Sequence, residues 1–478
     1  MVEGYIEKDK RKKILLLSDD IRMHSGVATM SKEIVVGTAH KYNWFQLGAA
    51  LKHPEVGKII DVSDDVNKAV NITDADVKVM PTEGYGNPAI IRALLKNEKP
   101  DAIFIFTDPR YWIWLFEIER EIRNKIPIVW LNIWDDYPAP MYNKNFYNSV
   151  DCLMGISKQT VNINKLVLGN LAKDKVIKYV PHGINDSMFY NIDKDHALYP
   201  KLVEFRNKTI PNKDIEFLAY FNSRNIHRKR PGDVILSFKL FCDSIGEEAA
   251  KKVGLVMHTE VSNPHGTDLK AVKAAIYPEG NIYFSTSKIN TDQMNFMYNM
   301  CDVTMLITSN EGWGLSLTES IMTGTMIIPN VTGGMQDQCR FTDKNGKWID
   351  FDSDFPSNHR GTYKECGVWA EPVFPSNISL AGSPGTPYIF DDRCDPNDVA
   401  ASLEYVYKLP KEQREANGLA GRDWLLSEEA QMTSDSMCNN VIEAMEETFI
   451  KFKPRARFDV FKAEKPSSGK ITHALTGY

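Results

Sequence analysis

The segment Thr308-Ser-Asn-Glu-Gly-Trp-Gly-Leu-Ser-Leu-Thr-Glu-Ser320 sets two carboxylates, Glu311 and Glu319, around a turn loosened by Gly312 and Gly314. An apolar run over 303–307 precedes it, and a helix is expected from about Leu315. The first N–H groups of a helix have no intrahelical partner, so this start is a ready cradle for phosphate oxygens. A carboxylate accepts two hydroxyl hydrogen bonds, which suits a sugar or ribose diol. Ser316-x-x-Glu319 also has the pattern of a capping box, in which Glu319 would only tie back to the helix start. Both readings of Glu319 stand on the residues alone, and a solvated loop carboxylate is the alternative for Glu311.

A second loop, Phe221-Asn-Ser-Arg-Asn-Ile-His-Arg-Lys-Arg-Pro231, gathers Arg224, Arg228, Lys229 and Arg230 between an apolar run and a helical pattern. Arginine suits bidentate contact with phosphate and lysine adds a point charge. A solvated basic loop is the bland alternative, and the position after a strand favours anion binding. A third loop, Ser18-Asp-Asp-Ile-Arg-Met-His-Ser-Gly-Val-Ala28, carries Gly26, where a backbone can approach a ligand closely. His24 and Ser25 face the same cleft in this reading, with Ser25 equally suited to cap a helix. It is not a dinucleotide fingerprint of the Gly-x-Gly-x-x-Gly type.

The elements that must position these loops are short apolar runs alternating with helical stretches. Strands are expected over 13–18, 102–106, 126–133, 152–156, 176–180, 216–221, 253–258, 281–285, 303–308 and 325–329. That alternation predicts parallel sheets with crossover connections. The strands are too many for one doubly wound sheet, so two α/β halves are expected, with a linker over 181–212 and ligands bound beyond the carboxyl ends of the strands. Residues 340–395 read as an irregular insertion. A long helix is expected from about 428 to 452, and a poorly ordered tail from 453.

Composition narrows the function class. The chain has 478 residues and a formal charge of −6, with 43% hydrophobic and 25% charged residues. These values exclude general disorder and a grip on nucleic acid through bulk positive charge. No apolar run has the length of a membrane span, and the charged N-terminus lacks the apolar stretch of a secretory signal. Seven cysteines without a Cys-x-x-Cys pair suggest reduced thiols in the cytoplasm. The Asp-x-Asp triplets at Asp74, Asp193 and Asp350–Asp354 lie in polar stretches and read as loop charge, so no metal site is expected. Tyr111, Trp112, Trp114 and Phe116 read as core rather than as a membrane-docking patch.

Together the motifs resemble the retaining GT-B glycosyltransferases, family 4 in particular. Glu311-Gly-Trp-Gly-Leu-x-Leu-x-Glu319 is similar to that family's Glu-x7-Glu motif, and Gly324-Thr-x-Ile-Ile-Pro and Val331-Thr-Gly-Gly-Met335 continue it. Arg224 and Lys229 match its Arg/Lys pair. Ile156-Ser-Lys-Gln-Thr160 and Val180-Pro-His-Gly-Ile-Asn185 resemble its segments near the interdomain crossing. The resemblance runs over about 150–340, more loosely over 13–150, and leaves out 340–395 and the tail.

The resemblance implies a GT-B fold: an N-terminal Rossmann-like acceptor domain (1–185), a C-terminal nucleotide-sugar domain (186–430), and a helix (431–452) crossing back. It implies a retaining hexosyltransferase that takes a nucleotide-diphosphate sugar as donor and needs neither cofactor nor metal. The acceptor (glycan, lipid, protein or small molecule) stays open. Arg224 and Lys229 would bind the diphosphate, Glu311 the transferred sugar, and Glu319 the ribose, with Gly26, Gly312, Gly314, Leu317 and Thr318 completing the donor site. One departure stands out: Trp134 occupies the place where the family has a histidine, with Asp135 beside it as a sugar contact. That departure favours a catalytically degenerate binding module as one alternative; a GT-B sugar-nucleotide epimerase is the other.

Overall fold

The computed structural model describes residues 4–50, 52–352 and 357–456, so 457–478 of the expected tail lie outside the described residues. Lys12–Asp19 (β1) begins a sheet that continues through Tyr42–Ala49 (β2), Ile60–Asp61 (β3), Val77–Pro81 (β4), Ala102–Phe106 (β5), Ile128–Asn132 (β6), Cys152–Gly155 (β7) and Val176–Tyr179 (β8). The spatial order is β3-β4-β2-β1-β5-β6-β7-β8, parallel except where β3 meets β4. Side chains of a strand alternate between faces. Accordingly, Ile14 and Leu16 enter one core cluster and Leu15 and Leu17 the other, all at most 1% exposed. Each such burial is worth roughly 1.5–3 kcal/mol.

The second sheet contains Phe217–Asn222 (β9), Val253–His258 (β10), Ile282–Ser285 (β11), Val303–Leu306 (β12) and Met326–Pro329 (β13). It is wholly parallel, in the order β11-β10-β9-β12-β13. The expected pair of α/β halves and the GT-B arrangement are present. The first core cluster spans both lobes without a break and takes in Met437, Val441 and Met445 of the helix Ser434–Lys451. That helix packs on the N-terminal lobe: Tyr42 donates to Glu446 at 2.8 Å and Lys178 pairs with Glu443 and Glu447. It starts later than expected, because residues 426–433 turn before it and Ile184 forms a parallel bridge to Thr433.

Three sequence expectations need correction. The strands β2, β3 and β4 were not anticipated; in β2 Asn43 and Gln46 interrupt the apolar run, and both are buried, Asn43 donating to the Lys8 carbonyl at 2.9 Å and Gln46 accepting from Ile21 N–H at 3.0 Å and donating to Ser18 Oγ at 2.8 Å. The supposed linker contains a helix, Tyr199–Thr209, held by Leu202 against the second lobe. The supposed irregular insertion contains an antiparallel hairpin, Asn377–Ser383 (β14) with Thr386–Arg393 (β15). Among the described residues no helix is long and apolar enough to cross a membrane.

Candidate functional site

The loops that carry the chemistry leave the carboxyl ends of β9 and β12, neighbours in the second sheet. The helix Leu315–Met322 starts from Gly314, whose φ of +92° lies in the left-handed region, and no side chain caps it. The capping-box reading of Glu319 therefore does not hold. Glu319 instead accepts a hydrogen bond from the Tyr298 hydroxyl, which in turn accepts from Asn222 Nδ2 at 2.8 Å. Burial raises the Glu319 carboxyl to about 7.

Lys229 contacts the Glu311 carboxylate, and Arg228 reaches the same Oε2 at 3.2 Å. Arg228 also donates to the Asn310 carbonyl at 2.6 Å and lies 3.8 Å from Asp135 of the other lobe. Burial first, then the like charges of Arg228 and Arg224, lower the Lys229 ammonium, while Asp135 opposes them. The four cations of the loop thus divide. Arg230 leaves the group to bind Asp391 on β15 at 2.6 Å. Arg224 is exposed, and among the described residues its guanidinium donates no hydrogen bond.

The lobes meet along these loops. A Cβ at Gly312 would come within 2.7 Å of the Ile133 carbonyl oxygen, so only glycine lets the second lobe approach the β6 loop this closely. Gly333, at φ +54°, lies against the Glu311 carbonyl with no room for a Cβ. Gly26 begins the helix Gly26–Thr38 and faces Leu315 across the seam; Ser25 caps that helix by accepting from Ala28 N–H at 3.1 Å. The Ile156–Thr160 motif acts here too: Ser157 caps the helix Lys158–Leu168, and Lys158 N–H donates to Asp337 at 2.9 Å.

Trp134 lines the cleft, but its indole N–H is committed to the Asp136 carbonyl at 2.7 Å. Leu317 and Thr318 do not offer side chains to a ligand. Leu317 is core, and Thr318 Oγ1 is taken by Trp313 Nε1 at 2.9 Å and by Gln338. Only their backbone belongs to the helix start.

Residues missed in the sequence complete the site. Asp136 of the first lobe and Asp392 of β15 both accept from Thr332 Oγ1, at 3.2 and 2.6 Å. Burial, with Asp392 beside it, holds the Asp136 carboxyl well above the usual carboxylate range. Asp108 and Arg110, ion-paired after β5, line a cavity of about 390 Å³ that also reaches Asp135, Arg228 and Asn310. The rule that led to the other loops, polar residues just after a strand, would have found Asp108 and Arg110. Nothing in the sequence pairs Asp136 with a residue more than 200 positions away.

No family model matches the chain and no curated protein matches it in sequence. Solved structures do match in shape. HepE from Anabaena, in complex with UDP and glucose, superposes with a TM-score of 0.62 at 11% identity, over 91% of this chain and 100% of that one. Sucrose-phosphate synthase from Thermosynechococcus elongatus gives 0.63 at 13% identity, over 92% and 100%. A glycosyltransferase from Rickettsia africae gives 0.62 at 14%, over 92% and 99%. At these identities the likeness concerns the fold, and the chain has the two-sheet GT-B fold over nearly its whole described length.

Proposed function

We propose that the protein transfers a sugar from a nucleotide-diphosphate sugar to a hydroxyl acceptor, with retention at the anomeric carbon. The observation that carries this reading is Lys229, a half-buried side chain after β9 in contact with the Glu311 carboxylate, ahead of the uncapped helix start at Leu315. In the reaction the acceptor oxygen bonds to the anomeric carbon as the carbon–oxygen bond to the diphosphate breaks. The diphosphate leaves with the electron pair, and one of its oxygens takes the acceptor proton. Charge building on the diphosphate is met by Lys229, by Arg224 and by the helix-start N–H groups, already in place before the bond breaks. No step forms a covalent bond to a carboxylate, so Glu311 holds the sugar rather than attacking it, unlike the nucleophile of a retaining glycoside hydrolase. Glu319 takes the ribose hydroxyls. UDP and UDP-glucose in the HepE structures support a uridine donor as the first to test.

One observation favours a second reading, a binding module without turnover: the Trp134 indole N–H is used up on Asp136 and cannot serve a sugar hydroxyl. Calorimetry and nucleotide-release assays with UDP-, GDP- and ADP-glucose separate the two. The transferase reading expects one donor to bind and turn over, and Lys229→Ala and Arg224→Ala to lower turnover, the former about 10²–10³-fold. Wild-type rates in both variants would refute it. Binding without release under any acceptor would leave the module.

A further inference from the structure

We infer that the cavity beneath the hairpin β14–β15 is the acceptor subsite and that it takes a neutral polyhydroxylated molecule, a sugar or sugar alcohol. This rests on the transferase reading for the word acceptor, but not for the binding itself. The hairpin lies in the part of the chain that the family resemblance leaves out. Both lobes hold it. Phe390 N–H donates to the Tyr137 carbonyl at 2.7 Å and the Tyr142 hydroxyl donates to the Tyr388 carbonyl at 2.9 Å, on the N-terminal side. Arg230 binds Asp391, and Asp392 N–H donates to the Ser309 carbonyl at 2.9 Å, on the other. A wall fixed from two sides is preorganised.

Position, size and charge then identify the occupant. The cavity reaches Arg228 and Asn310, the neighbours of Lys229 and Glu311, so a molecule in it adjoins the donor site. Its volume of about 390 Å³ is in the range of small-molecule sites, ~300–1,000 Å³. Two guanidinium groups line it, and both are already matched. Arg110 is paired through Nε with Asp108 at 2.8 and 3.0 Å and donates to Thr386, while Arg228 faces Glu311 and Asp135. The lining charges are Arg110 and Arg228 against Asp108 and Asp135, two positive and two negative. An anionic acceptor would have to break an ion pair to find a cation. A neutral polyol finds donors and acceptors side by side, with Trp134 and Ile389 offering apolar surface to its C–H faces.

The test is calorimetric titration of the full chain with maltose, with glucose 6-phosphate and with phosphatidylglycerol vesicles, each alone and with UDP, GDP or ADP present. Ser383 is exposed on the hairpin and lines the cavity, so Ser383→Trp fills space without disturbing a core; its thermal midpoint checks the fold. Expected are saturable maltose binding, glucose 6-phosphate at least about tenfold weaker, and an approximately tenfold loss of maltose affinity in Ser383→Trp with nucleotide affinity unchanged. Maltose binding that ignores Ser383→Trp, or no sugar binding at all, overturns the subsite. Tighter binding of glucose 6-phosphate or of vesicles overturns the neutral class. Maltose binding that responds to Ser383→Trp in a protein that binds no nucleotide supports the subsite and removes the transferase reading.

Discussion

Two regions join the lobes, and they are built in opposite ways. The seam around Gly312 and Gly333 is buried and leaves no room for added atoms; glycine lets backbones touch there, and polar groups such as Lys158 N–H with Asp337 and Thr332 with Asp136 meet across it. The hairpin β14–β15 is mostly exposed and is held by its base and by a few hydrogen bonds along one strand. The difference teaches where the molecule tolerates change. A close-packed crossing holds the backbone around Glu311 with no room to shift, whereas an exposed wall can vary its outward side chains at little cost in stability.

That contrast is open to attack at specific residues. The largest stability effect is expected at Gly333→Ala. The new Cβ meets the Glu311 carbonyl oxygen, and a left-handed φ adds backbone strain, together roughly 3 kcal/mol. Denaturant unfolding measures the loss, and donor turnover should fall further than stability because Glu311 is displaced. Next, Asp136→Ala removes the acceptor for Thr332, Gln159 and the Tyr137 N–H, at about 1–3 kcal/mol, while Asp136→Asn keeps a carbonyl oxygen for these donors without the charge that burial disfavours, and should cost less than about 1 kcal/mol. Equal losses in the two variants would mean that the amide cannot replace the carboxyl in these hydrogen bonds.

A pH measurement tests the donor loop on the same seam. The Glu319 carboxyl is raised from 4.5 to about 7 by burial, so between these values the folded state holds a proton that the unfolded chain releases. Its stabilisation is complete below pH 4.5 and is lost as pH rises through about 7. Wild type should therefore lose thermal stability over that window relative to Glu319→Gln. Donor affinity should move the other way and rise, because only the carboxylate accepts two ribose hydroxyls. The smallest effect is expected on the hairpin: Leu380→Ser, at a side chain 65% exposed, should stay within about 0.5 kcal/mol of wild type. A large loss there would make the hairpin as tightly built as the seam.

The strands β1, β5, β6, β9 and β10 were legible because each is built on a run of apolar residues, the signature of a strand covered on both faces. The loops after β9 and β12 were legible for a related reason: charged and glycine residues following such a run have few structural explanations. Where polar side chains are satisfied inside the protein, the pattern failed. Asn43 and Gln46 hid β2 because their partners, Lys8 and Ser18, lie elsewhere in the chain. Leu317 and Thr318 looked like donor contacts because they fall inside the motif, yet a helix must turn most of its residues inward to anchor the start it presents. The hairpin was missed because its strands are exposed and mixed in composition, with Pro384 and Gly385 at the turn.

The amino-acid order by itself determined the alternation of strand and helix, the two lobes, and the presence of cations and carboxylates at strand ends, since these follow from local burial and backbone preference. Only the tertiary structure decided the partners: which cation meets Glu311, that Arg230 serves the hairpin instead, that Glu319 answers Tyr298 rather than its own helix, and that Thr332 joins Asp136 to Asp392. Ion pairs and hydrogen bonds act over a few ångströms, and which groups come within that distance is set by how the sheets and the seam pack, not by separation along the chain.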